Sequence, residues 1–371
     1  MKSDQQFVPS PRPEVAALPP YNAGISVAVA RQISGLQDIA ALASNENPYG
    51  ASPAVAAALG ALVTARYSDS SSGALRQALS DRLGTTPDHI VCGNGSEELI
   101  AALSRAYLEK GDTVLTISPC FGLHEIEPMA AGARVIKVPM TPDFDYDIHT
   151  LVGELATPPK IAFISSPSNP VGKALSRTEL DRLLDAVRPD TLFVLDEAYF
   201  EFIDSGYPDG LRVLQARQGL SWVVLRTFSK AYGLAGLRVG YGVVSDPGIA
   251  RAMRAALTPF NVNAAAQAAA VAAFQDDGWM REATARIKRD RAVLADRLCA
   301  AGIRVVPSQT NFLFLDLATE AAPVAKALLQ KGIIVKAWME AGYTNFLRVS
   351  IGTAGENERF ARELGRLLGR A

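Results

Sequence analysis

The residues best placed to do chemistry lie in Arg226-Thr-Phe-Ser-Lys-Ala-Tyr-Gly-Leu-Ala-Gly-Leu-Arg238, where Lys230 stands between a hydroxyl-bearing turn and an arginine. Lysine is a poor choice for a buried site unless its amine reacts or meets a fixed anion. Both needs are met together when the amine bonds to the aldehyde of a phosphate-bearing cofactor. A surface lysine on a turn would carry the same Ser-Lys pair, so the motif alone decides little. What matters is whether the other polar residues serve the same group.

The elements that must position them are legible from hydrophobic patterning. Apolar β-rich runs at 89–93, 113–118, 134–138, 161–165, 191–195 and 222–225 alternate with helical stretches. The helices include 96–108 with Ser96 as N-cap, one ending at Gly132, and 176–187. Apolar strands separated by helices predict an α/β fold, a mainly parallel central sheet covered on both faces. After Pro259 the pattern changes to an alanine-rich stretch and a long amphipathic helix at 279–301. Strands at 310–317, 333–337 and 346–351 and a closing helix follow, predicting a smaller α+β domain. The segment 7–20 carries five prolines and reads as an extended arm. The expected division is an N-terminal arm at 1–40 partly joining the small domain, a large cofactor-binding domain at 41–260, and a small domain at 261–371.

Ligands of such sheets sit at the carboxyl ends of the strands. After the first strand, Gly93-Asn-Gly-Ser-Glu-Glu98 opens straight into a helix, whose free amides and dipole suit a phosphate. Glu97 and Glu98 are awkward beside an anion and are expected to point away. After the second comes Pro119-Cys-Phe-Gly122, where Phe121 can stack on a flat heteroaromatic ring. Asn169 lies in the turn Ser166-Pro-Ser-Asn-Pro-Val-Gly172, and Asp196-Glu-Ala-Tyr199 follows the 191–195 strand. A carboxylate at the end of an apolar strand is costly unless a cation or strong donor meets it, and a pyridinium nitrogen is such a donor. Asn169 and Tyr199 suit a ring hydroxyl. Lys230, Ser229 and Arg238 supply the amine, a phosphate hydroxyl partner and a phosphate guanidinium. Six strand-end features each serve a different atom of one cofactor, pyridoxal 5′-phosphate.

The chain resembles fold-type I pyridoxal-phosphate aminotransferases, and most closely the histidinol-phosphate aminotransferase family, nearly end to end. The markers are Ala43-Ser-Asn-Glu-Asn-Pro-Tyr-Gly50, Arg66-Tyr67, 93–98, Pro170-Val-Gly172, 196–199, 227–238, Thr310-Asn-Phe312 and Leu347-Arg-Val-Ser-Ile-Gly-Thr353. The resemblance implies Lys230, Asp196 and Tyr199 as catalytic, with Lys230 joined to the cofactor aldehyde and Asp196 on the pyridine nitrogen. It implies Asn169 and Tyr199 on the ring oxygen, and Ser96 and Glu97 (through backbone amides), Thr227, Ser229 and Arg238 around the phosphate. Tyr67 would reach the phosphate in a neighbouring subunit, so a homodimer with sites at its interface is implied. Arg348 would clamp a substrate carboxylate, and Lys336, Asn45 and Tyr21 join it as substrate contacts, with Asn22 beside Tyr21. The implied reaction moves an amino group from L-histidinol phosphate to 2-oxoglutarate, a step of histidine biosynthesis.

Three positions depart from the family pattern. Phe121 replaces a stacking tyrosine, Glu97 an aspartate, and Lys336 an arginine expected to help bind the substrate phosphate. Lysine keeps that charge but loses the planar fork. The alternatives are therefore an aromatic amino acid aminotransferase, supported by Lys336, and a threonine-phosphate decarboxylase sharing the motifs. A pyridoxal-phosphate-bound regulator would need a basic DNA-binding module, for which the short arm leaves no room.

Composition excludes other classes. With 37 basic and 38 acidic residues there is no electrostatic case for nucleic acid or an anionic membrane. Three scattered cysteines without a CxxC pair argue against disulfides or structural zinc, so no metal is expected. Neither a signal-peptide-like start nor a membrane-length apolar run is evident, so a cytoplasmic protein is expected.

Overall fold

Thirteen short strands organise the computed structural model, which describes residues 9–18 and 24–370. They are β1 (Ala40–Ala41), β2 (Ile90–Gly93), β3 (Thr113–Ser118), β4 (Arg134–Pro139), β5 (Ile161–Ser165), β6 (Leu192–Asp196), β7 (Ser221–Thr227) and β8 (Gly240–Val244). β9 (Arg304–Val306), β10 (Phe312–Asp316), β11 (Ile333–Ile334), β12 (Lys336–Ala337) and β13 (Phe346–Ser350) complete the set. The large sheet has the order β2-β8-β7-β6-β5-β3-β4. Its central strands β5, β6 and β7 are parallel, and β5 and β6 are buried along their whole length. That burial on both faces is why they read as unbroken apolar runs rather than alternating ones.

β8 departs from the expectation. It has the sequence Gly-Tyr-Gly-Val-Val, lies antiparallel between β2 and β7, and pairs Gly240 with Gly93 on one side and Thr227 on the other. Two glycines hide it from a propensity reading. Its position brings the end of the lysine loop against the glycine turn after β2.

The smaller sheet is antiparallel, in the order β12-β13-β10-β9. The strand expected over 333–337 is two pieces: Ile333–Ile334 pairs in parallel with β1, and Lys336–Ala337 turns to β13. The arm is not wholly extended either. Pro13–Ala16 forms a helical turn, with Arg12 donating to the Ala130 carbonyl and Glu14 paired with Lys110. At the glycine turn, Gly95 rather than Ser96 is the N-cap, with φ +80, and Ser96 is the first helical residue of Ser96–Tyr107. Helix Arg177–Ala186 is fixed by a Ser176–Glu179 capping box, as its sequence demands. Among the described residues no helix is long and apolar enough to cross a membrane, and no cluster could hold a metal ion.

Candidate active site

A cavity of about 710 Å³ opens at the carboxyl ends of the large-sheet strands, walled on its far side by the small sheet. It gathers Asn45, Ser96, Glu97, Phe121, Asn169, Asp196, Tyr199, Thr227, Ser229, Lys230, Arg238, Lys336 and Arg348. Tyr67 is not among them: it is 86% exposed and stacks on Phe260 at 4.7 Å, outside this chain's own cavity. Tyr21 and Asn22 lie outside the described residues.

One end is an anion cradle. The N-terminus of Ser96–Tyr107 faces the loop after β7, so amides meet hydroxyls and a guanidinium. Thr227 Oγ1 donates to Ser229 Oγ at 3.0 Å, and Arg238 Nη1 donates to the same oxygen at 3.4 Å. Of the two glutamates, Glu98 turns away, accepting from the Asn94 amide and Asn261 Nδ2. Glu97 does not, contrary to expectation: it lines the cavity and pairs with Arg238, because the guanidinium offers the nearest strong donor.

The other end is built around Asp196, the last residue of β6 and 5% exposed. Its Oδ1 accepts from the Ala198 amide at 3.0 Å, and its Oδ2 faces His124 Nε2 at 3.0 Å. His124 is fully buried and stacks on Phe163. Its Nδ1 has no hydrogen-bond partner, so the tautomer with hydrogen on Nε2, donating to the carboxylate, leaves only an acceptor unsatisfied. Sequence reasoning missed this residue. The available signal was its place three residues after Phe121, in the first turn of Leu123–Ala131. Phe121 meets His124 edge-on at 5.7 Å and contributes its ring to the cavity wall.

Lys230 reaches between the two ends, its Nζ donating to the Ser44 carbonyl at 2.9 Å. Burial, with Arg348 and Arg238 nearby and only partly offset by Glu46, lowers its pKa to about 8. The segment presenting Ser44 is rigidly held. Asn45 adopts φ +56, and its Nδ2 donates to Tyr199 Oη at 2.9 Å. Its backbone amide donates to Ser350 Oγ at 2.8 Å, and Asn311 donates to its carbonyl. The neighbouring carbonyl, Ala43 O, accepts from Arg348, whose Nη1 donates to Asn169 Oδ1 at 2.7 Å. Since that oxygen is engaged, Asn169 meets any ring oxygen through its amide nitrogen. Lys336 sits directly opposite Arg348 across the β12–β13 ladder. Burial and the Arg348 charge lower its pKa.

Beneath the site, Arg226 is buried and grips Glu197 through Nε (2.9 Å) and Nη2 (2.7 Å). It also donates to Asp209 at 2.8 Å and stacks over Phe200. This network braces the turn that follows Asp196.

The cradle passes a geometric test for a phosphorylated pyridine cofactor. A Cβ on Gly240 would lie 2.5 Å from the Ser96 backbone nitrogen, and one on Gly95 would lie 2.5 Å from Arg238 Nη2. Only glycines keep the amides and the guanidinium this close around one small anion. With a carboxylate for the ring nitrogen, an aromatic wall and a lysine of lowered pKa, the residues fit pyridoxal 5′-phosphate.

Fold and site together define an aminotransferase of fold type I. The profile of the family described as aminotransferase class I and II matches residues 37–364. Histidinol-phosphate aminotransferase 3 of Rhizobium meliloti (strain 1021) is 42% identical over 357 residues, covering 95% of this chain and 96% of the relative. Histidinol-phosphate aminotransferase of Moorella thermoacetica is 36% identical over 97% of this chain and 94% of its own length. The crystal structure of histidinol-phosphate aminotransferase from Sinorhizobium meliloti in complex with pyridoxal-5′-phosphate superimposes with a TM-score of 0.88. It is 27% identical and covers 99% of both chains. Thermus thermophilus aspartate aminotransferase with maleate superimposes at 0.81 with 22% identity, a likeness of fold alone. The chain belongs to the aminotransferase class I and II family and, within it, to the histidinol-phosphate aminotransferase family.

Proposed function

We propose that this chain is a pyridoxal-phosphate-dependent transaminase that takes the amino group of L-histidinol phosphate and delivers it to 2-oxoglutarate. The observation carrying this reading is the pairing of Lys336 with Arg348 directly opposite each other at the cavity wall. Like charges in direct cross-strand register are destabilising on their own. An anionic substrate group between them reverses that term. The phosphate of the amino donor and a carboxylate of the acceptor would take turns there.

When bound, pyridoxal 5′-phosphate supplies an electron sink that lets the C–H bond beside the substrate nitrogen ionise. Ser96 and Glu97 through their amides, with Thr227, Ser229 and Arg238, would hold its phosphate. Asp196, oriented by the His124 contact, would keep a proton on the ring nitrogen. Phe121 would stack on the ring, and Asn169 and Tyr199 would donate to its oxygen. Lys230 has a pKa near 8, so its amine can take a proton and give it back near neutral pH. Arg348, anchored by Asn169 and the Ala43 carbonyl, would hold the substrate anion at a fixed distance from that amine.

A homodimer is part of the proposal. Tyr67 and Phe260, exposed and stacked together, form an apolar pair suited to a partner surface, from which Tyr67 would enter the neighbouring site. We assign the cofactor domain to 41–260 and the small domain to 261–371, with 1–40 as an arm partly joining the small domain, and expect the protein in the cytoplasm. A second reading rests on Trp338 and Met339, which give the cavity an apolar side and favour an aromatic amino acid as donor.

Glutamate formation from 2-oxoglutarate by the purified holoenzyme tests the proposal, with L-histidinol phosphate, phenylalanine and tyrosine as competing donors. The proposal requires the highest kcat/KM with L-histidinol phosphate. Preference for phenylalanine would move the protein to the second reading. Carbon dioxide released from O-phosphothreonine would replace transfer with decarboxylation.

A further inference from the structure

The loop 338–345 joins β12 to β13, and so connects the strand that bears Lys336 to the strand that bears Arg348. It also carries Trp338 and Met339 into the cavity wall. One side chain of this loop, Glu340, ties it to the large sheet. Ser118 Oγ, at the end of β3, donates to Glu340 Oε1 at 2.8 Å. Lys137 Nζ, on β4, donates to the same oxygen at 3.3 Å and to Glu125 Oε2 at 3.3 Å. The Trp338 indole donates to Glu340 Oε2 at 3.3 Å, and Tyr343 Oη donates to the Ser118 carbonyl at 3.3 Å. Ser118 stands two residues before Cys120 and three before Phe121, which line the opposite wall. The carboxylate therefore bonds both walls of the chamber and one of its aromatic side chains at once.

We propose that Glu340 is a positioning residue for the substrate: it sets the β12–β13 hairpin, and with it Lys336, Arg348 and Trp338, at a fixed distance from the cofactor end of the cavity. This rests on the transaminase reading above, since it assumes that those cations bind the substrate anion. The phosphate cradle at the cofactor end is built from large-sheet elements and shares no hydrogen bond with Glu340. Substrate binding depends on the latch, because two of its cations come from the small sheet. Losing charge-assisted hydrogen bonds of this kind should weaken substrate binding about tenfold.

The test uses holoenzyme and whichever amino donor the wild type turns over, so failure with L-histidinol phosphate counts against the proposed substrate and not against the latch. Glu340→Ala is expected to raise KM for donor and acceptor about tenfold, with kcat within about threefold of wild type and unchanged cofactor retention. Lys137→Met, at a residue outside the cavity wall, should raise KM in the same direction, and Glu340→Gln should fall between wild type and Glu340→Ala. In the double variant Lys137→Met/Glu340→Ala the KM should not exceed that of Glu340→Ala alone, since both act through one joint. Unchanged KM in Glu340→Ala with only a lower Tm would overturn the proposal by making the contact merely structural. A KM effect of Glu340→Ala that Lys137→Met does not reproduce, or that adds to it in full, would overturn it too.

Discussion

Replacing Gly240 by alanine should loosen the cofactor while sparing the substrate wall. The added methyl carbon would stand 2.5 Å from the Ser96 nitrogen, 2.9 Å from the Gly95 carbonyl carbon and 3.0 Å from the Arg226 carbonyl oxygen, all backbone atoms. Ordinary contact begins near 3.4 Å, so β8 and the helix N-terminus must separate by 3.4 − 2.5 = 0.9 Å. Overpacking of this kind costs roughly 1–3 kcal/mol. An amide displaced by about 0.9 Å from an anion near 2.9 Å loses that hydrogen bond, worth about 1.5–3 kcal/mol for a charged acceptor. The cofactor dissociation constant should therefore rise about ten- to hundredfold, with a lower Tm. Cofactor absorbance after equilibrium dialysis at graded concentrations measures this directly. Gly236→Ala is the control, since its added carbon meets nothing within 4 Å. Wild-type affinity and Tm in Gly240→Ala would refute the claim that close backbone approach at β8 builds the phosphate cradle.

Three further outcomes follow from the site. In the cofactor-free enzyme the Lys230 amine, lowered to about 8, should react with an amine-specific reagent along a titration centred near pH 8, and Arg348→Leu should move that midpoint upward by removing a cation. Because the ordinary lysine value lies higher, the unfolded chain holds this proton more tightly; the cost to the folded state is full below pH 8 and disappears as pH rises toward 10.5. Denaturant titrations should accordingly find the stability gap between wild type and Lys230→Met narrowing over that window. Glu197→Ala should cost about 3 kcal/mol, the lower end for breaking a buried pair, because Asp209 still meets Arg226; chemical denaturation measures it. Lys336→Ala should raise KM for L-histidinol phosphate about tenfold or more, and KM for 2-oxoglutarate in the same direction, read from steady-state rates with each substrate varied in turn.

Much of this arrangement was legible in the sequence, because buried parallel strands are unbroken apolar runs and the polar residues ending them are conspicuous. Asp196, Asn169 and Lys230 stood out for that reason, and they line one cavity. What escaped depends on approach between distant segments. β8 escaped because two of its five residues are glycines, which let it lie closely between β2 and β7 but mask the strand-forming Tyr241, Val243 and Val244. His124 sits inside a helix, and only the fold reveals its carboxylate partner 72 positions later. Residues 333–337 look like one strand, but the pairing changes from β1 to β13 within them. Ser96 has the better N-cap chemistry, yet the required left-handed backbone puts Gly95 there. Glu97 turned toward the cavity because Arg238 faces it, a contact across 141 positions that local pattern does not encode.

The central claim, amino transfer from L-histidinol phosphate through Lys230, is tested most directly by a single half-reaction. Holoenzyme is mixed with L-histidinol phosphate without any acceptor, and the cofactor absorbance is followed in a stopped-flow instrument, with phenylalanine and the Lys230→Ala protein in parallel. The account predicts rapid, complete conversion of the wild-type cofactor to its amine form with L-histidinol phosphate, slower conversion with phenylalanine, and none in Lys230→Ala. Conversion by phenylalanine alone, or turnover surviving in Lys230→Ala, would contradict it.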